Sequence, residues 1–145
     1  MGTHQLQTEL EINAAAERVW SILTDFARYP EWNPFIRSIQ GELVQGARLE
    51  VRIQPSGAKG MTFRPSVLAA DAGRELRWLG HFLFPGIFDG EHRFEIEPIA
   101  AGRVRFRQSE RFNGILVPLF KGSLDRDIKR GFEEMNRALK ARAEG

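Results

Sequence analysis

The chain has 145 residues, 42% of them hydrophobic and 28% charged, with a net charge of +2 and no cysteine. That length fits one domain, residues 1–145, able to bury roughly 70% of its unfolded surface. Without cysteine there is no disulfide and no thiolate metal site, which suits a reducing compartment, and a cytoplasmic location is expected. No apolar run approaches the roughly 20 residues of a membrane span, and residues 1–10 lack the basic-then-apolar layout of a secretory signal. Arginines number 17 against four lysines, but they are interspersed with acidic residues. Nucleic-acid binding, which needs a clustered basic face, is not expected.

In chain order, residues 5–12 alternate as a strand, with Leu6, Thr8, Leu10 and Ile12 on one face. Asn13 is the candidate N-cap of a helix over 15–23, where Val19, Ile22 and Leu23 recur at helical spacing. A further short turn is predicted over 25–29. The run Tyr29-Pro30-Glu31-Trp32-Asn33-Pro34-Phe35 follows. Its prolines stop a helix and push the residues before them towards extended backbone, so it reads as an aromatic plug over an apolar interior.

Strand patterns then succeed one another over 36–43, 48–54, 62–70, 75–81, 87–97 and 103–112, with a loop at 55–60 and another at 98–102. A long helix closes the chain. Pro118 suits its first turn, and Phe120, Leu124, Ile128, Phe132, Met135 and Leu139 form one apolar stripe. Strand, helix, about six consecutive strands and a long helix make an α+β fold with an antiparallel sheet covered by the last helix.

If the loop 98–102 closes a hairpin, Glu97 faces Arg103 and the two strands can be counted outward. Phe94 then meets Phe106, His92 meets Gln108, Gly90 meets Glu110 and Phe88 meets Phe112 on the core face. Glu95 meets Arg105 and Arg93 meets Arg107 on the other. Arg103, Arg105, Arg107 and Arg111 therefore read as a solvated, charge-paired face, with a strip for anionic partners as the alternative. His92, Gln108 and Glu110 fall among phenylalanines, where unpaired polar groups cost several kcal/mol. Three readings stand: a structural network, a cavity wall that orients a ligand's polar end, or acid–base chemistry. Phe63, Trp78 and Phe82 can join the interior wall, although plain core packing also accounts for them. Gly131 inside the last helix costs about 1 kcal/mol relative to alanine, which points to a close approach or a need for space. Phosphate-loop, nucleophile-elbow and dinucleotide signatures are missing, and His4, His81 and His92 lack metal-ligand spacing; no cofactor or metal is expected.

The order of Ala15-Ala16-Glu17-Arg18-Val19-Trp20, the 29–35 plug, Glu75-Leu76-Arg77-Trp78, Gly90-Glu91-His92-Arg93-Phe94 and the terminal helix resembles the SRPBCC superfamily (START-like, birch-pollen-allergen-like), in its bacterial polyketide cyclase/dehydrase-like branch. The resemblance spans nearly the whole chain. It implies a helix-grip fold: a curved antiparallel sheet of about seven strands wrapped round a long C-terminal helix, with two short helices after the first strand. Between sheet and helix it implies an apolar cavity for a small hydrophobic, lipid-like or polyketide-like molecule. Cavity-lining positions suggested by it are Trp32, Phe63, Trp78, Phe88, His92, Phe94, Phe106, Gln108, Phe112 and Phe132, and Glu110 joins them as a polar partner of His92. The superfamily has no common catalytic set, so none is transferred; His92 and Glu110 are the candidates if a cyclase/dehydratase-type reaction occurs. A third reading is a surface interaction protein with a solid core, acting through Arg77, Arg105, Arg107 and Arg111. Trp32 and the segment 82–87 offer apolar surface for a partner subunit, a homodimer being one outcome.

Overall fold

The computed structural model describes residues 2–82 and 84–145; Met1 and Leu83, the latter within the expected partner surface, lie outside the described residues. Strands β1 (Gly2–Ile12), β5 (Ser66–Asp71), β6 (Glu75–Phe82), β7 (Phe88–Ala100) and β8 (Arg103–Gly114) form an antiparallel sheet in the order β1-β8-β7-β6-β5. Strands β2 (Ile36–Gln40), β3 (Glu50–Ile53) and β4 (Met61–Phe63) form a second sheet. The backbone bonds Gly46 N to Val67 O and Leu49 N to Pro65 O join the two. After β1 come α1 (Ala16–Thr24), a 3-10 turn and α2 (Tyr29–Trp32); after β8 come α3 (Val117–Ser123), a π-helical turn (Leu124–Ile128) and α4 (Lys129–Glu144). This is the helix-grip architecture, α+β, with eight strands among the described residues. None of the described helices is long and apolar enough to cross a membrane.

Helix α4 buries Gly131, Phe132, Met135, Asn136, Leu139 and Ala143 against the concave face. Gly131 is the close approach that its position suggested: a Cβ there would stand 2.3 Å from Cδ1 of Phe35. The far end of α4 is held by the Arg18 guanidinium, which donates to the carbonyls of Ala143, Arg142 and Gly145. A cation at that end also complements the helix dipole.

Several expectations are corrected. Asn13 does not cap α1; the cap position is Ala15, without a side-chain bond, and the Asn13 amide instead donates to the Glu144 carboxylate. The strand expected over 62–70 is two strands. Pro65 lacks the N–H that a continuous ladder needs, and its two sides pair with different partners, β4 with β3 and β5 with β6. Tyr29 is helical despite preceding Pro30, because the proline occupies the first turn of α2; Asn33, before Pro34, is extended as its position dictates. The Asn33 side chain accepts from the amides of Phe35 and Ile36 and so sets the exit of the plug.

The β7–β8 register differs by two residues. The strands run on to Ala100 and Arg103, turn through Ala101-Gly102 with Gly102 at φ 69°, and absorb an irregularity between Pro98 and Ala100. His92 thus faces Glu110, Phe94 faces Gln108, Gly90 faces Phe112 and Glu97 faces Arg105. A shift of two keeps each residue on its expected face. The outer face is charge-paired at Arg105 on Glu97 (2.9 Å), Arg107 on Glu9 (3.1 Å) and Arg103 on Glu11 (3.7 Å), whereas Arg111 has no ion pair among the described residues.

Candidate functional site

The concave face can be followed as rows of residues paired across strands. One row reads Leu76, Phe94, Gln108, Thr8, and it is packed under α4. The next reads Trp78, His92, Glu110, Leu6. The third reads Gly80, Gly90, Phe112, His4, so two adjacent strands carry no side chain there. Beyond it stand Phe82 and Phe88. Both glycines line a hollow between the sheet and the α3–α4 junction, with a volume of about 430 Å³, and the room that Gly90 leaves is taken by the Glu110 carboxylate. Its deep end is Trp78 and His92, both buried, and its mouth is marked by half-exposed Phe82, Met61 and Phe120. The helical side is Leu116, Phe120, Ser123, Leu124 and Ile128. Phe88 meets Phe112 and Phe120 edge-on, each at 5.7 Å between centroids.

At the deep end the polar groups form one chain. His92 Nδ1 lies 3.2 Å from Glu110 Oε1 and His92 Nε2 lies 3.0 Å from Gln108 Oε1. Gln108 Nε2 donates to Asn136 Oδ1 at 2.7 Å and to the Phe132 carbonyl at 3.4 Å. Asn136 Nδ2 donates to Thr8 Oγ1, whose hydroxyl donates to the Gln108 carbonyl. Two backbone carbonyls, which only accept, fix the direction of the whole chain. Thr8 must donate to one, so it accepts from the Asn136 amide. Gln108 must donate to the other, so its Oε1 faces His92. His92 Nε2 therefore carries hydrogen, and His92 Nδ1 and Glu110 Oε1 share the remaining proton. Oε2 of Glu110 lies over Gly90, 2.3 Å from where a Cβ would be. Trp78 packs against His92 at 5.1 Å, and its buried Nε1 has no partner among the described residues.

Of the residues singled out in the sequence, Phe63, Trp78, Phe88, His92, Glu110 and Phe112 come together on the cavity wall. Phe94, Phe106 and Phe132 are fully buried in the packed core beside it, and Gln108 stands behind His92. Trp32 lies on α2 against Tyr29, away from the wall, because the plug turns back as a helix and presents Phe35 to the cavity instead. Sequence reasoning did not find Thr8 and Asn136 as members of the polar chain, or Gly80 as cavity floor. Alternation from Trp78 places Gly80 on the concave face, and Asn136 sits one turn after Phe132 in the apolar stripe; both signals were present. No group of histidines, aspartates and glutamates among the described residues is placed to hold a metal ion.

Comparison with known proteins follows from this geometry. A START superfamily protein from Mycobacterium smegmatis is 23% identical with a TM-score of 0.73, covering 97% of each chain. An aromatase/cyclase from Streptomyces sp. R1128 is 16% identical with a TM-score of 0.76, over 99% of this chain and 94% of that one. A norcoclaurine synthase point mutant from Thalictrum flavum, in complex with a transition-state analogue, is 12% identical with a TM-score of 0.74, over 98% and 94%. At these identities the likeness is one of fold. Among curated proteins none matches the chain in sequence. Residues 3–144 match the family described as polyketide cyclase / dehydrase and lipid transport, and the chain belongs to that family.

Proposed function

We propose that the protein binds a small hydrophobic molecule in the cavity between sheet and C-terminal helix. The observation that carries this reading is the hollow lined by Gly80 and Gly90, walled by Phe35, Phe63, Trp78, Phe88, Phe112 and Phe120 and ended by the His92–Glu110 pair. Apolar walls with a few convergent polar groups are what small-molecule sites require. An interior of this kind favours ligand binding over a solid-cored protein acting through its surface arginines. Phe94, Phe106, Gln108 and Phe132 serve the site from behind, as the packed layer on which its wall rests. Native mass spectrometry of protein purified from its own host tests the reading. A retained small molecule is expected, lost on Gly80→Phe, which fills the floor. A folded protein that retains nothing, and whose melting temperature no apolar compound raises, refutes it.

A cyclase- or dehydratase-type reaction on a polyketide-like substrate is the second reading. It is favoured by one observation, the directed chain that sets His92 Nδ1 against Glu110 Oε1 at the deep end of the cavity, an imidazole–carboxylate pair suited to proton transfer. His92→Gln separates the two: an enzyme loses turnover while still binding, whereas a carrier changes only in affinity.

A further inference from the structure

We infer that the cavity selects a ligand with an uncharged hydroxyl on an apolar body, and rejects the same body carrying a carboxylate. The inference rests on the binding reading above and narrows it to a chemical class. Three observations carry it. First, no lysine or arginine is among the described residues of the wall, whose ionisable side chains are His81, His92 and Glu110. His81 already pairs with Asp89 at 2.7 Å, so no free cation waits for an anionic head group.

Second, the direction of the polar chain settles what Glu110 offers. His92 Nε2–H is taken by Gln108, and one proton lies between His92 Nδ1 and Glu110 Oε1. With that proton on nitrogen, Oε2 is a carboxylate oxygen; with it on Oε1, Oε2 is a carbonyl oxygen. In both cases Oε2 accepts and cannot donate. The missing side chain at Gly90 gives it its place. Third, Trp78, in the same row, keeps a buried indole N–H without an acceptor among the described residues. A buried donor without a partner is uncommon and invites one. At the deep end Glu110 Oε2 is thus an open acceptor, and the Trp78 indole N–H is an unpaired donor buried within the wall beside it. A ligand hydroxyl donates to Oε2, and its oxygen, or a neighbouring one, accepts from the indole after a small shift of the ring. A carboxylate has no proton for Oε2, so acceptor meets acceptor in either case, and it must be stripped of water without a lysine or arginine as counter-ion.

The test uses three probes of one skeleton, 1-hydroxypyrene, pyrene and 1-pyrenecarboxylate, titrated by fluorescence into the intact protein, Glu110→Gln and Trp78→Phe. In the unaltered protein the hydroxyl probe should bind roughly tenfold or more tighter than the carboxylate, the size of one hydrogen bond to a charged group. Glu110→Gln should narrow that gap by raising carboxylate affinity. Trp78→Phe, which also trims the apolar wall, should weaken the hydroxyl probe several-fold more than it weakens pyrene, and it keeps the inference testable if the Glu110 variant does not fold. Equal or tighter binding of the carboxylate to the unaltered protein overturns the inference while binding itself stands. A folded protein that binds none of the three overturns the inference and the binding reading together.

Discussion

The interior polar chain predicts a specific failure of additivity. Gln108 is fully buried, and Gln108→Leu leaves two groups without partners, His92 Nε2–H and Asn136 Oδ1. Each orphaned buried group costs about 1–3 kcal/mol, and the added apolar burial of leucine returns about 1–2, so a loss centred on about 2.5 kcal/mol is expected. Asn136→Leu leaves Gln108 Nε2 with only its 3.4 Å contact to the Phe132 carbonyl, for a loss of about 1–3 kcal/mol. The double variant removes both members of the 2.7 Å bond at once, so neither orphans the other. Its loss should fall short of the sum of the singles by about 1–3 kcal/mol. Urea unfolding followed by tryptophan fluorescence, with unchanged m-values, reads the difference. Losses that add to within about 0.5 kcal/mol would show that the chain does not hold in solution, and the assignment of the His92 proton would fall with it.

Three further outcomes are expected. Gly131→Ala should gain about 1 kcal/mol of helix propensity yet lose about 1–3 to the clash with Phe35, and because Phe35 lines the cavity, ligand affinity should drop with the melting temperature. Gly80→Ala meets Phe63 and Pro65 at ordinary contact distances of 3.5 and 3.6 Å, so stability should change by less than about 1 kcal/mol while a ligand that reaches the floor binds more weakly. Burial pushes the Tyr29 phenol far above its usual range. The folded state therefore keeps a proton that the unfolded chain releases near pH ~10, and stability should be level below that point and fall by about 1.4 kcal/mol per pH unit above it. Tyr29→Phe should remove that slope, while being less stable at neutral pH because the Leu23 carbonyl loses its donor.

The fold was legible because period-two alternation and the long apolar stripe are side-chain patterns that the packed sheet must respect. Faces were therefore right where registers were not. Trp78, His92 and Phe94 share the concave face under either pairing, but whether His92 meets Gln108 or Glu110 depends on the two-residue turn at Ala101-Gly102 and the irregularity beside Pro98, which spacing alone does not reveal. The site was half legible for the same reason. Aromatics announce an interior wall, yet a hollow is made by side chains that are missing, and Gly80 and Gly90 become adjacent only once the strands are aligned. Trp32 misled because proline stops a helix from one side and starts one from the other.

The five-residue turn from Leu124 to Ile128 has a consequence for how such a site is re-aimed. It inserts one residue beyond helical periodicity between α3 and α4. A turn of that kind widens to take the extra residue, so Phe120, Leu124 and Ile128, spaced four apart, stay on the cavity side. Phe120 stands at the rim of the opening while Phe132 stays inside. Deleting one residue there would close the wide turn and displace the aromatic gatepost without altering any strand.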